Sequence, residues 1–360
     1  MSERAPLVQP TESGPYCAAG DFYIDPWRPV DRAVITHAHS DHARRGARIY
    51  LCAEVGREIL RERVGGSQST IETLPYGGST TINGVKVSLH PAGHILGSAQ
   101  VRIEHQGEVW VVSGDYNPTH ASNSCTPWEP VRCHTFITES TFGLPIYRWP
   151  EPQEVFGEIH AWWRRNQEQG LASVLPAYPL GKSQRLLAGL DASLGPIAVH
   201  GSVKTYLPMY ERAGVKLAPT MPLSEESVPE LKGRGLIVTS SAAQEVGLIR
   251  KLGGVSWAFA SGWMMTRAAR RNRDFDRGFV LSDHADWPGL LKAVEATGAE
   301  RIGVTHGQVD AFSRYLREQG KDAYVFPTRY VGEAQGEGLQ EDTPAEAARP
   351  ESVDTPRAEA

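Results

Sequence analysis

The 360-residue sequence predicts an α/β protein, on three observations. Short apolar runs rich in β-branched and aromatic residues recur along the chain. Longer helix-like stretches lie between them. Acids and histidines collect where the apolar runs stop, which is where loops begin and ligands gather in sheet proteins. At 40% hydrophobic and 22% charged residues, the chain has material for one large or two medium domains.

In chain order, the first strand expected is Ala33–Thr36, followed by a helix over Ala53–Val64. Strands follow at Val85–Leu89, Val109–Ser113 and Thr135–Thr138. Helices over Pro152–Gln169 and Ser183–Ser193 come next, then a strand at Leu236–Ser240. The chain closes with strand Phe279–Ser282, helix Trp287–Thr297, strand Ile302–Thr305 and helix Gln308–Gln319. His37, Asp115, Glu139, the pair Asp283 and His284, and His306 each follow one of these strands.

The formal charge of −5 is concentrated at the C-terminus. Residues 333–360 hold eight acids against two bases, a net −6, which leaves residues 1–332 at +1. A near-neutral body can still carry a basic groove. The acidic tail has no aromatic residue and is expected to be disordered. Cys17, Cys52, Cys125 and Cys133 form no Cys-x-x-Cys pair and are too sparse for a disulfide framework. No run approaches the roughly 18 apolar residues of a membrane span. The start, Met1-Ser2-Glu3-Arg4-Ala5-Pro6, lacks a signal-peptide pattern, so a cytoplasmic protein is expected.

The densest chemistry is Thr36-His37-Ala38-His39-Ser40-Asp41-His42. Imidazole nitrogen and carboxylate oxygen suit zinc, manganese and iron. His37 and His39 can point one way from an extended turn while Asp41 and His42 face a second ion. The competing reading is a polar surface loop, although histidines this dense are rarely kept for packing.

His-x-His-x-Asp-His resembles the signature of the metallo-β-lactamase superfamily, and further motifs appear in that family's order. Asp25 in Tyr23-Ile24-Asp25-Pro26 matches the first-motif aspartate, which orients the histidine loop. His94 in Ala92-Gly93-His94-Ile95-Leu96-Gly97-Ser98 matches the third, and Asp115 in Ser113-Gly114-Asp115 the fourth. The resemblance implies two divalent ions, zinc or manganese. His37, His39, His94 and a bridging Asp115 would hold the first; Asp41, His42, Asp115 and a late histidine the second. His90 reads as an ordinary strand-end histidine.

Three later segments resemble the β-CASP branch, which cuts nucleic acid. Glu139 in Thr138-Glu139-Ser140-Thr141 matches its motif A, His284 in Ser282-Asp283-His284-Ala285 motif B, and His306 in Thr305-His306-Gly307 motif C. The implied architecture is an αββα sandwich, residues 1–142 and 277–332, carrying an inserted α/β cap over residues 143–276. Gly181-Lys182-Ser183-Gln184 matches a cap element, with Arg185 where that family usually has an acid. The same residues lack the first glycine of a phosphate-binding loop, because position 176 is Pro176, so nucleotide binding is rejected; a glycine-initiated helix with a surface lysine is the alternative to the cap element.

Within that branch the chain is similar to the bacterial ligase-associated DNA exonuclease family. The resemblance implies a DNA exonuclease working from the 5′ end in DNA repair, beside a DNA ligase and a helicase. Asp25, Asp41, Glu139 and His284 are the catalytic set, with His284 stabilising charge or protonating the leaving oxygen while Glu139 orients its ring. Asp283 also reads as an N-cap for the helix near Trp287. Phosphate contacts are expected from Ser140, Thr141, Ser261 and Gly262. Arg267, Arg270, Arg271, Arg273 and Arg277 before motif B, with Arg44 and Arg45 after the histidine loop, are expected to track the nucleic-acid backbone or to form solvated faces. Trp162-Trp163 reads as helix packing.

Three alternatives stay open. His306 favours an RNA-processing nuclease, since motif C is usually histidine in RNA-cutting members and valine in eukaryotic DNA-repair members. The shared fold admits hydrolysis of small esters. A scaffold that lost its activity would lack ligands, whereas every expected ligand position is filled.

Overall fold

A computed structural model describes residues 5–66, 69–119, 122–240, 242–266 and 275–330. It is a mixed α/β structure with three sheets. The acidic tail and the arginines Arg267, Arg270, Arg271 and Arg273 lie outside the described residues.

The first sheet has six strands in sequential order: β1 (Gln9–Pro10), β2 (Pro15–Cys17), β3 (Phe22–Ile24), β4 (Arg32–Val34), β5 (Ile49–Ala53) and β6 (Thr70–Leu74). The second begins as an antiparallel run of β7 (Ser79–Ile82), β8 (Val85–Pro91), β9 (Ala99–His105) and β10 (Glu108–Val112), then adds β11 (Thr135–Ser140) in parallel. The chain now leaves to build a third, all-parallel sheet from β12 (Ala172–Pro176), β13 (Ile197–Val199), β14 (Met221–Pro222), β15 (Leu236–Thr239), β16 (Val255–Ala260) and β17 (Arg277–Phe279). It returns as β18 (Arg301–Gly307) and β19 (Asp322–Val325), and β18 pairs in parallel with β11.

Side chains sort these sheets into layers. Phe22, Ile24, Val34 and Leu51 of the first sheet meet Val87, Leu89, Val101, Ile103 and Trp110 of the second in one core. The strands alternate in and out, so each sheet has a second apolar face to cover. On the first sheet, Ala33, Ile35 and Tyr50 pack with Ile59, Leu60 and Val64 of helix α1 (Arg57–Val64). On the second, Val111, Phe136, Ile302 and Val304 pack with Leu290, Val294, Phe312 and Leu316 of the helices Trp287–Thr297 and Val309–Glu318. The third sheet has its own core with helices α2 (Pro152–Glu168) and α3 (Lys182–Gly189). Trp162 and Trp163 of α2 are buried there, their indole N–H groups donating to Ser256 Oγ and the Arg234 carbonyl.

Several sequence expectations need adjustment. β17 stops at Phe279, so Leu281 and Ser282 belong to a loop, and Arg277–Phe279 pairs in parallel with β16. β11 and β18 run through Glu139 and His306 rather than ending before them. The short strands β1 to β3 carry too few residues for a periodic signal. Asp286, not Asp283, caps the helix Trp287–Thr297, its Oδ1 accepting from Gly289 N at 2.9 Å.

One irregularity sets up the site. The β11–β18 register slips between the pairs Thr138–Val304 and Ser140–Gly307. His306 has φ 55° and Gly307 φ 93°. A bulge of this kind re-aims one side chain out of the ladder, and here it turns His306 toward Asp115. A Cβ on Gly307 would lie 2.4 Å from Thr141 Cα and 2.5 Å from the Ser140 carbonyl oxygen. Gly307→Ala is therefore expected to cost about 2–3 kcal/mol, from overpacking and a left-handed φ together. A urea titration showing an unchanged midpoint would remove the close approach from the account.

Candidate metal centre

Asp115 is the hub of a buried cluster. It sits in the loop after β10, with Gly114 before it at φ 56° and pressed against Thr36. Asp115 Oδ2 lies 3.4 Å from His37 Nε2, 3.5 Å from His42 Nε2 and 3.9 Å from His94 Nε2. Oδ1 lies 3.2 Å from His306 Nδ1. Burial pushes the Asp115 carboxyl up, but the surrounding imidazoles outweigh it and hold it well below the usual carboxylate range.

Neighbouring groups set the tautomer of each ligand. Asp25, at φ 43°, accepts from Thr36 N at 2.7 Å, Thr36 Oγ1 at 2.5 Å and His42 Nδ1 at 2.8 Å. When the ring is neutral, His42 Nε2 keeps its lone pair for a cation. Thr36 Oγ1 has spent its proton on Asp25 and can only accept from His37 Nδ1, at 3.1 Å. His39 Nε2 faces the Leu180 carbonyl at 3.1 Å, and His94 Nδ1 faces the Asp283 carbonyl at 3.0 Å. A carbonyl oxygen has no proton to give, so both facing nitrogens donate. That leaves His39 Nδ1 and His94 Nε2 as two lone pairs 3.1 Å apart.

This arrangement fits divalent cations. Two donors each about 2.1 Å from one ion, at a tetrahedral angle, stand roughly 3.4 Å apart. Three separations in the group, His39–His94 at 3.1 Å, His37–Asp115 at 3.4 Å and His94–Asp115 at 3.9 Å, bracket that figure, and all its donor atoms lie within 4.8 Å of one another. His37 Nε2, His42 Nε2 and His306 Nε2 are buried without a hydrogen-bond partner among the described residues, which is costly unless something positive meets them. One potential ligand group is His37, His39, His94 and Asp115; a second is His42, Asp115 and His306. Asp41 stands at the open side of the second, 3.6 Å from His42 Nε2. Burial holds His39 down at about 3, as suits a neutral ligand. Burial also opposes charge on His42, yet Asp115, Asp41 and Asp25 outweigh it and hold that ring up at about 10. The second group is therefore a place that calls for positive charge.

Beside the cluster, His284 Nδ1 lies 2.9 Å from Glu139 Oε2 and 3.0 Å from Oε1. Glu139 is itself fixed by Tyr116 N and the Thr141 hydroxyl. The His284 ring packs on His94 at 4.6 Å between centroids. Trp149 donates its indole N–H to the His284 carbonyl. His90 is elsewhere, paired with Ser88 and Glu129.

The residues expected to meet phosphate fare differently. Ser140 and Thr141 are buried, and their hydroxyls donate inward, to the His306 carbonyl at 2.8 Å and to Glu139. Their side chains brace motif A rather than face solvent, because a buried hydroxyl must satisfy its proton locally. Ser261 is buried and accepts from Trp263 N, while Gly262 is packed against the Phe142 and Trp149 rings. Arg277 is exposed and pairs with Glu158. Arg44 and Arg45 are exposed beside the histidine loop.

Sequence reading missed three features. Tyr330 stacks on His42 at 4.3 Å and donates to the Asp25 carbonyl oxygen. Leu180 supplies the carbonyl that orients His39. Lys182 is no surface lysine: it is buried, as is Arg185, and both pair with Asp283. Only the last had a local signal, the basic Arg185 standing in an acid's place.

No family model matches the chain. It is 31% identical over 315 residues to a "Probable DNA ligase" of Opitutus terrae, covering 87% of this chain and 30% of that protein. It is 33% identical over 130 residues to "Endoribonuclease YSH1" of Yarrowia lipolytica, covering 35% of this chain and 15% of the relative. The chain thus spans less than a third of the length of either. A solved structure, a protein of unknown function from Enterococcus faecalis V583, superposes over 83% of this chain and 80% of its own with a TM-score of 0.55 at 12% identity, a likeness of fold alone.

Proposed function

The chain belongs to the β-CASP branch of the metallo-β-lactamase superfamily, and from that premise we propose that it is a two-metal DNA exonuclease hydrolysing phosphodiesters from the 5′ end of single strands. The first two sheets and their outer helices form the αββα sandwich, and the third sheet with its helices the inserted cap. The observation that carries the reading is the pairing of a lone-pair cluster around Asp115 with a carboxylate-pinned His284, 2.9 Å from Glu139. His37, His39, His94 and Asp115 would hold one ion, and Asp41, His42, Asp115 and His306 the other.

Bound ions would supply Lewis acidity and lower the pKa of a water, the two things an anionic phosphodiester lacks for attack. The chain's own residues do the rest. Asp25 and Thr36 hold His42 and His37 in the tautomers that present Nε2. Glu139 accepts from His284 Nδ1–H and steadies the doubly protonated ring, whose Nε2–H is then the proton given to the leaving oxygen. Arg44 and Arg45, exposed and just after the histidine loop in sequence, would meet backbone phosphates. Among the described residues, no helix is long and apolar enough to cross a membrane.

The Opitutus relative's name, a probable DNA ligase, supports DNA as the polymer. RNA processing is the second reading; His306 and the relative named an endoribonuclease favour it. The test is digestion of 5′- and 3′-labelled single-stranded DNA and matched RNA with added zinc or manganese. Stepwise shortening of DNA from the 5′ end is expected. Preferential loss of RNA moves the chain to the second reading, and cleavage of neither by metal-loaded protein ends both.

A further inference from the structure

Two of the four donors proposed for the first ion are oriented from the start of helix α3, although neither lies near it in sequence. The turn before α3 brings the Leu180 carbonyl to His39 Nε2 at 3.1 Å. Tyr178 approaches Ser40, hydroxyl to hydroxyl, at 3.1 Å. Gly181, at φ 93°, lies so close that a Cβ would fall 2.3 Å from Ile95 Cγ2 and 3.5 Å from His39 Nε2. The α3 turn is thus wedged between the His39 loop and the His94 loop.

The first turn of α3 then reaches a third segment. Lys182 Nζ lies 3.1 Å from Asp283 Oδ2 and donates to the Leu281 carbonyl at 2.9 Å. Arg185 Nη1 lies 2.8 Å from Asp283 Oδ1 and also donates to the Ser282 carbonyl. All three side chains are 4–5% exposed. Two cations and one anion so deeply buried are an expensive way to join helix and loop, and hydrophobic residues of like volume would join them as well. What the charges add is direction: two contacts to the Leu281 and Ser282 carbonyls and two to the Asp283 carboxylate pin this segment, and the Asp283 carbonyl is the acceptor for His94 Nδ1. Asp283 also immediately precedes His284.

We propose that Lys182, Arg185 and Asp283 are positioning residues that make the seating of α3 part of the first metal site, so that this site closes only when the third-sheet unit is docked. The inference rests on the ligand assignment above but not on the nature of the substrate. Groups that orient a metal-bound histidine typically change metal affinity 10–100-fold when removed. The second group, around His42, takes its orientation from Asp25 and Tyr330 and, among the described residues, has no hydrogen bond to the start of α3.

The test is a zinc titration of the full chain against a chromophoric chelator, resolving two affinities, with cobalt(II) spectra as a second signal. His39→Ala and His306→Ala identify which affinity belongs to which group. Asp283→Asn and Lys182→Met are expected to weaken the first affinity 10–100-fold and leave the second within about threefold. Either variant strands buried charge and can unfold. The triple variant Lys182→Met, Arg185→Met, Asp283→Leu removes all three charges together, is expected to melt near the parent, and should show the same selective loss. Lys251→Met, from a surface pair with Glu225, is the control. Unchanged affinities in the folded triple variant, or equal loss at both groups, would overturn the proposal. Neither result touches the nuclease reading, which the strand digests decide separately.

Discussion

Asp115→Ala is expected to leave a folded protein that no longer retains two cations and hydrolyses nucleic acid about 10³-fold more slowly or worse. The reason is geometric. Asp115 alone belongs to both of the ligand sets proposed for the two ions, with one oxygen toward His37, His42 and His94 and the other toward His306. Removing it opens both sites at once, whereas removing any single histidine opens one. The ions are expected to contribute several kcal/mol to the transition state, which sets the size of the loss. Mass-spectrometric metal content, circular dichroism and single-turnover hydrolysis measure the three parts. Full metal content with full activity would take Asp115 out of the centre.

His284→Ala is expected to lower the rate about 10²–10⁴-fold with metal content intact, the range for a lost general acid. His284 lies beside the cluster rather than among its unpaired nitrogens: its Nδ1 is committed to Glu139. Glu139→Gln keeps an acceptor for Nδ1–H but drops the charge, so a smaller loss in the same direction is expected. A His284→Ala protein that also loses an ion would reassign His284 from proton donor to ligand. One that cleaves normally would return it to a packing role, against Phe142 and His94.

Much of the cluster could be read from the chain because its ligands come in short segments. His37, His39, Asp41 and His42 share one loop, and a metal needs dense imidazole and carboxylate wherever the fold brings loops together. His94 and Asp115 sit beside glycines that let the backbone turn tightly. Sheet-forming residues around them marked β8, β10, β11, β15 and β18 by composition. The helix over Trp287–Thr297 announced its own start, with Pro288 in its first turn and an acid immediately before it, but that acid is Asp286.

What could not be read depends on partners far away in sequence. A lysine or arginine in a helix reads as solvated, and only the docking of α3 against Leu281–Asp283 makes Lys182 and Arg185 buried. Ser140 and Thr141 are small and polar, which lets their backbone approach a phosphate; that their hydroxyls turn inward, to the His306 carbonyl and Glu139, depends on a strand 165 residues on. Residue types and local spacing determined that this protein carries a His/Asp centre on an α/β scaffold, since donor chemistry is a property of each side chain. Which nitrogen each histidine presents, and what holds it there, only the tertiary structure decided, because a tautomer is set by the group facing the other side of the ring, and those groups come from loops up to 189 residues away.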